Sequence, residues 1–181
     1  MKTMLDRGAG ILMPVSSLPS PYGIGTFGKA AYEFVDFLKK ARQKYWQVLP
    51  VGPTSYGDSP YQSFSAFAGN PYFIDLDTLA EEGLLTREEI NACYWGCDEN
   101  QGFPLLKKAH ARSEFHEEEG YEKFCMESWY WLNDYALYMA LKFHFDNQEW
   151  LAWPEDIRFR KRDAVERYKE ELKEEIDFWK F

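Results

Sequence analysis

Residues 9–51, AGILMPVSSLPSPYGIGTFGKAAYEFVDFLKKARQKYWQVLPV, decide the fold. Ala9 to Val15 is a short apolar run that reads as a buried strand, closed by Pro14 and a Ser/Pro/Gly-rich stretch. That stretch, SSLPSPYGIGTFG at 16–28, cannot be regular structure with Pro19, Pro21 and its glycines, so a long loop is expected. From Lys29 to Lys44 the period becomes helical. Phe34, Phe37, Leu38, Ala41 and Tyr45 fall at i, i+3, i+4, i+7 and i+11, one stripe of a helix. A second strand, WQVLPV at 46–51, follows at once. Strand, helix, strand at this spacing is a β-α-β unit, which implies parallel strands and a right-handed crossover.

Beyond it lies a second irregular loop, GPTSYGDSPYQSFSAFAGNPY at 52–72, leading into an extended FIDL segment at 73–76. Residues 86–181 then turn rich in Glu, Lys, Leu and aromatics and nearly lack strand signals. Tyr121, Phe124, Cys125, Ser128, Leu132, Tyr135, Met139 and Phe143 share one face of a long predicted helix, which the turn Trp150 to Pro154 breaks. A last helix over 163–180 places Val165, Tyr168, Leu172, Ile176 and Trp179 on one side. Two strands and one crossover cannot bury both faces of a parallel sheet. The pattern reads as the start of a larger α/β structure with a helical insertion.

Composition narrows the partners. The 181 residues carry a formal net charge of -9, a surface that repels phosphate backbones, so nucleic acid is not expected as a partner. No stretch approaches the roughly 20 apolar residues that span a bilayer, and no membrane partner is expected. The N-terminus MKTMLDRGAG has no apolar run of the signal-peptide kind. Three cysteines make no disulfide framework, and the cytoplasm is the expected compartment. The aromatic share of 18% has two readings: a core packed with large rings, or a surface that stacks flat ligands such as sugars.

In parallel α/β folds the functional loops follow the C-terminal ends of strands, as both long loops do here. Loops beyond about 12 residues without structure of their own are usually functional. In the second one Tyr56, Ser59, Tyr61, Gln62, Ser63 and Asn70 offer hydroxyls, amides and flat rings on a Gly/Pro-braced backbone. Sugars have apolar faces for stacking and a rim of hydroxyls that need paired donors and acceptors, and the loop suits them. A structural Ω-loop whose rings pack on the sheet accounts for the same residues, and both readings stand on the residues alone.

The runs GILMPVSSLPSPYGIGTFG and YWQVLPVGPTSYGDSPYQSFSAFAGNPYFIDLDTL closely resemble the opening of the amylomaltase, or disproportionating-enzyme, family of 4-α-glucanotransferases. The likeness continues more weakly through WLNDYALYMALKFHF (131–145) and W-x-x-WP-x-x-I-R-x-R (150–160). It implies a (β/α)8 TIM barrel with a mostly helical insertion, here incomplete. Residues 1–80 would be the first β-α-β portion, 81–162 the insertion and 163–181 the start of the return to the barrel. It implies transfer of α-1,4-glucan segments from a donor maltooligosaccharide to the 4-hydroxyl of an acceptor sugar by a retaining double displacement. No metal or organic cofactor is implied. Tyr61 would stack on the glucose at the cleavage site, Ser59 would contact the bound glucan nearby, and Tyr56 would offer a further aromatic platform.

The chemistry needs a carboxylate nucleophile, a second carboxyl as acid/base and a third carboxylate holding sugar hydroxyls. The resemblance places these beyond Phe181, and no Arg-x-Asp nucleophile motif with its following His occurs in these residues. Glu155-Asp156-Ile157 lies at the position of the helical insertion and lacks the glycine that should follow an acid/base segment. Asp58 is the one carboxylate within the sugar-loop motif. The chain by itself is expected to be inactive, and it is expected to self-associate through exposed sheet. Two other function classes remain, a non-catalytic maltooligosaccharide-binding module and a scaffold built on the helical half. Cys93, Cys97, His110 and His116 satisfy a loose zinc-finger spacing, but Gln101 and Lys107 stand where its apolar core residues belong, so no metal site is expected. Cys125 is expected as a small buried hydrophobe and His144 as a packing or capping residue.

Overall fold

The computed structural model describes residues 7–55, 57–93, 95 and 99–181, which fall into two compact units, Met1–Ala111 and Arg112–Phe181. In the first, β1 (Gly10–Leu12) and β2 (Tyr45–Gln47) pair in parallel, with Ile11 opposite Trp46, and α1 (Lys29–Lys40) makes the crossover. Backbone bonds lengthen the pairing at both ends: Lys44 N–H donates to Ala9 O at 2.8 Å and Met13 N–H to Gln47 O at 3.0 Å. The expected β-α-β unit is present, in a mixed α/β architecture with a two-stranded, unclosed sheet, as in part of a (β/α)8 barrel.

Both strands are shorter than their apolar runs. Pro14 and Pro50 lack the N–H a ladder needs, and Val15 enters a 3-10 turn (Val15–Ser17) in place of extended backbone. The helix also stops early. Arg42 adopts a left-handed φ of 55°, and Gln43 N–H returns to Leu38 O at 2.9 Å, which caps α1 and leaves Ala41 and Tyr45 outside the stripe. What α1 buries is Ala31 and Leu38, with Phe34 set edge-on against Trp46 at 5.0 Å between ring centres. Phe37, predicted for the same stripe, is 53% exposed. On the sheet, Ile11 and Trp46 are half-buried, whereas Leu12 and Tyr45 on the other face are exposed.

After the second loop come α2 (Leu76–Glu81), α3 (Arg87–Asn91) and α4 (Glu99–Arg112). Asp75 caps α2 by accepting the Thr78 N–H at 3.0 Å, and Thr86 with Glu89 forms a reciprocal capping box on α3. Such caps satisfy donors that helices this short cannot satisfy internally.

The second unit is helical: α5 (Glu119–Glu127), α6 (Trp129–His144), α7 (Glu155–Arg158), α8 (Arg162–Glu171) and α9 (Lys173–Lys180). Ala136, Leu137, Ala140 and Leu141 of α6 share a core with Trp153, Ile157, Ala164, Tyr168, Leu172 and Ile176. The single helix predicted across 121–143 is two, broken at Ser128, and the one predicted over 163–180 breaks at Leu172. The break at Leu172 leaves Tyr168, Leu172 and Ile176 buried together, whereas before Ser128 α5 buries no residue fully and Phe124, predicted for the inner face, is 40% exposed. His144 packs as expected, against Phe145 and Tyr168 at 4.8 and 5.7 Å, near the C-terminal end of α6. Cys125, expected as a buried side chain, is only half-buried, because no residue of α5 is fully buried. Among the described residues no helix is long and apolar enough to cross a membrane.

Candidate functional site

The two long loops meet beyond the C-terminal ends of β1 and β2. In the second, the chain is tied at its base where Asn70 N–H donates to Val51 O at 2.8 Å. Inside, Ser55 N–H donates to Gln62 O (2.9 Å) and Gln62 N–H to Ser59 O (3.0 Å), so the tip folds back on itself. Serines fasten the return limb: Ser63 Oγ donates to Ser65 O at 2.7 Å, and Ser65 Oγ accepts from Phe67 and Ala68 N–H at 3.2 and 3.0 Å. Gly57 and Asp58 turn the tip with φ of 80° and 53°, values that glycine and aspartate tolerate. The result is a compact Ω-type loop with closed ends.

Its rings do not all pack inward. Tyr61 stands at the tip with 73% of its surface exposed, and Phe67 is 59% exposed. Ser59 is half-buried and its Oγ accepts the Tyr61 N–H at 3.4 Å, which places the two residues side by side. Tyr56 lies outside the described residues. Among the described residues the loop thus presents two exposed rings, Tyr61 and Phe67, on a backbone braced by its own hydrogen bonds.

The first loop is held against the segment that follows the second. Gly25 N–H donates to Ser16 O at 3.0 Å, and Phe27 N–H to Phe73 O at 2.9 Å. Thr26 Oγ1 donates to Asp75 Oδ2 at 2.5 Å, joining residues 49 positions apart. Tyr22 donates its hydroxyl to Asp77 Oδ1 at 2.8 Å, and Arg87 binds the same carboxylate oxygen. The Arg87 guanidinium and then the Tyr22 hydroxyl hold the Asp77 carboxyl below its usual range. The Tyr22 hydroxyl is pushed up to about 12, by burial first and then by Asp77.

The signs of these shifts set a pH window. A depressed Asp77 stabilises the folded unit above its unfolded value near 4 and ceases to do so as pH falls through the lower folded value. A raised Tyr22 contributes fully below its unfolded value near 10 and is lost as pH rises through about 12. Melting temperatures of the wild type and Asp77→Asn are therefore expected to differ at pH 7 and to converge below pH 4. A difference that persists unchanged at pH 2 would refute the clamp.

Between the loops lies a cleft of about 270 Å³. Val15, Ser16 and Ile24 line it from the first loop, and Thr54, Asp58 and Asn70 from the second. The contribution of Ser16, Ile24 and Thr54 is not readable from residue type; the signal was positional, since both loops leave strand ends on one side of the sheet. Asp58, whose Oδ1 lies 3.5 Å from Thr54 Oγ1, is the carboxylate at this cleft. Of the four residues with zinc-finger spacing, Cys97 lies outside the described residues. Among the described residues no three of His, Cys, Asp and Glu are grouped to hold a metal.

Comparisons with known proteins agree on one family. Residues 13–181 match the family described as 4-alpha-glucanotransferase. A 4-alpha-glucanotransferase of Clostridium butyricum is 51% identical over 178 residues, covering 93% of this chain and 37% of that protein. The Thermus thermophilus 4-alpha-glucanotransferase is 44% identical, covering 98% of this chain and 37% of its own length. Among solved structures, an amylomaltase from Streptococcus agalactiae in complex with acarbose superposes with a TM-score of 0.85 at 40% identity, over 97% of this chain and 38% of that one. The chain thus spans a little over a third of the length of these relatives. With a match across nearly all its residues and a β-α-β unit that carries the expected loops, the chain belongs to the 4-alpha-glucanotransferase family.

Proposed function

We propose that this chain supplies the glucan-binding loops of an enzyme that moves α-1,4-glucan segments from a donor maltooligosaccharide to the 4-hydroxyl of an acceptor sugar. The reaction is a retaining double displacement in which acceptor sugar takes the place of water in the second step. The observation that carries this reading is Tyr61, an exposed ring at the tip of a loop whose backbone is closed by hydrogen bonds. A pre-braced ring stacks on a pyranose face with little ordering cost. Ser59 contacts the bound glucan beside it, and Tyr56 extends the platform.

The nucleophile, the acid/base and the hydroxyl-binding carboxylate belong to segments outside these 181 residues, since one loop carboxylate, Asp58, cannot fill both halves of a retaining mechanism. Residues 81–162 serve as a helical insertion and 163–181 as the return toward the barrel. Self-association of the chain through the sheet face that carries Leu12 and Tyr45 belongs to the same reading.

In a full-length enzyme carrying this segment, Tyr61→Ala is expected to lower kcat/KM for maltotriose disproportionation roughly 30-fold, the equivalent of about 2 kcal/mol of lost ring contact. The melting temperature should not move, because the ring is not part of the core. Wild-type turnover in that variant would remove Tyr61 from the site.

A further inference from the structure

Asn70 is a buried polar residue of the cleft that the glucan reading above leaves without a role. It is 9% exposed, and buried amides require partners for both ends. Its Oδ1 accepts the Tyr72 N–H at 3.0 Å as the cap of the 3-10 turn Pro71–Phe73. That bond settles which end of the amide is oxygen, since a backbone N–H cannot face an NH2 group. The Nδ2 end therefore carries two donors, and among the described residues no acceptor is bonded to it.

The surroundings say what kind of acceptor fits. Asn70 lines the cleft together with Asp58, a carboxylate that accepts, while Val15, Ile24, Pro60 and Phe73 supply apolar wall. A donor, an acceptor and an apolar wall around about 270 Å³ match one sugar ring, whose hydroxyls both donate and accept and whose C–H faces are apolar. A phosphate or carboxylate ligand is disfavoured by Asp58. We propose that Asn70 is a substrate-binding donor: its NH2 donates to a hydroxyl oxygen of a pyranose seated in the cleft, while Asp58 accepts from a neighbouring hydroxyl. The assignment rests on the glucan function proposed above and adds to it a second polar contact, separate from the exposed ring of Tyr61.

Two substitutions separate binding from folding. Asn70→Asp keeps an oxygen for the Tyr72 N–H, and Asn70→Ser keeps a good capping group; both remove the NH2. Isothermal titration of the 181-residue chain with maltotriose is expected to show both variants binding roughly 3- to 10-fold more weakly than wild type, as for one lost hydrogen bond. Their melting temperatures should stay with the wild type. Wild-type affinity in either folded variant overturns the donor role while leaving the glucan function intact. Unfolding of both variants also overturns it, because Asn70 is then a structural staple. A wild-type chain that does not bind maltotriose overturns the donor role of Asn70, while turnover of Tyr61→Ala in the full-length enzyme tests the glucan function separately.

Discussion

Replacing Gly25 with alanine is expected to destabilise the first unit by about 3 kcal/mol, one of the largest losses open to a single methyl group. A Cβ there would lie 2.1 Å from Val15 O, 2.8 Å from Leu18 N and 2.9 Å from Leu18 Cβ. Two of these neighbours are backbone atoms of a 3-10 turn whose own hydrogen bond, Leu18 N–H to Val15 O at 3.0 Å, must break or shift. Val15 and Leu18 are also buried, so the turn cannot swing aside without opening the core around Phe73. Gly57→Ala is the control. That glycine has a φ of 80° but nothing within 4 Å of the place a methyl group would take, so only backbone strain of about 1 kcal/mol applies. Urea denaturation of the two variants should separate them clearly. Equal midpoints would show that the first loop gives way freely, and the cleft wall formed by Ser16 and Ile24 would then not be rigid.

Trp95→Ala is expected to cost about 4 kcal/mol, in the middle of the usual range for deleting a buried large ring. Trp95 is 1% exposed, its ring meets Tyr72 edge-on at 5.3 Å between centres, and its Nε1 donates to Tyr72 O at 3.2 Å. Tyr72 lines the cleft, so the substitution removes support from the functional side of the unit as well as from its core. Trp95→Phe keeps most of the ring volume and loses the indole hydrogen bond, for about 1 kcal/mol plus a smaller cavity. Calorimetry that gave the two variants the same melting temperature would show that the hydrogen bond, not the packing, holds this contact.

Reading the residues in order recovered the parts of this chain that depend on neighbours in sequence. The helical period at Phe34 and Leu38, the prolines and glycines that end strands, and the stripe of Tyr168, Leu172 and Ile176 are local signals, and each element formed where its pattern lay. Boundaries were less legible. Tyr45 fitted the helical stripe by spacing yet lies in β2, because Arg42 could take a left-handed turn and Lys44 then found a partner in Ala9. Ser128 and Leu172 interrupt helices without any proline or glycine to announce it, and across Leu172 the residues Tyr168 and Ile176 still share one core.

Sequence by itself determined the parallel β-α-β unit, the two loops at its strand ends, the helical second half and, through long stretches of unusual residue combinations, the family. All but the family, which rests on likeness to other chains, follow from chirality, hydrophobic period and backbone chemistry, which act over a few residues. Only the tertiary structure decided how the loops close and what they offer. Thr26 finds Asp75, Tyr22 and Arg87 share Asp77, and Tyr61 points outward while Asn70 is buried beneath the cleft. Such pairings join residues up to 55 positions apart, and a hydrogen bond's strength depends on a few tenths of an ångström that no local pattern specifies.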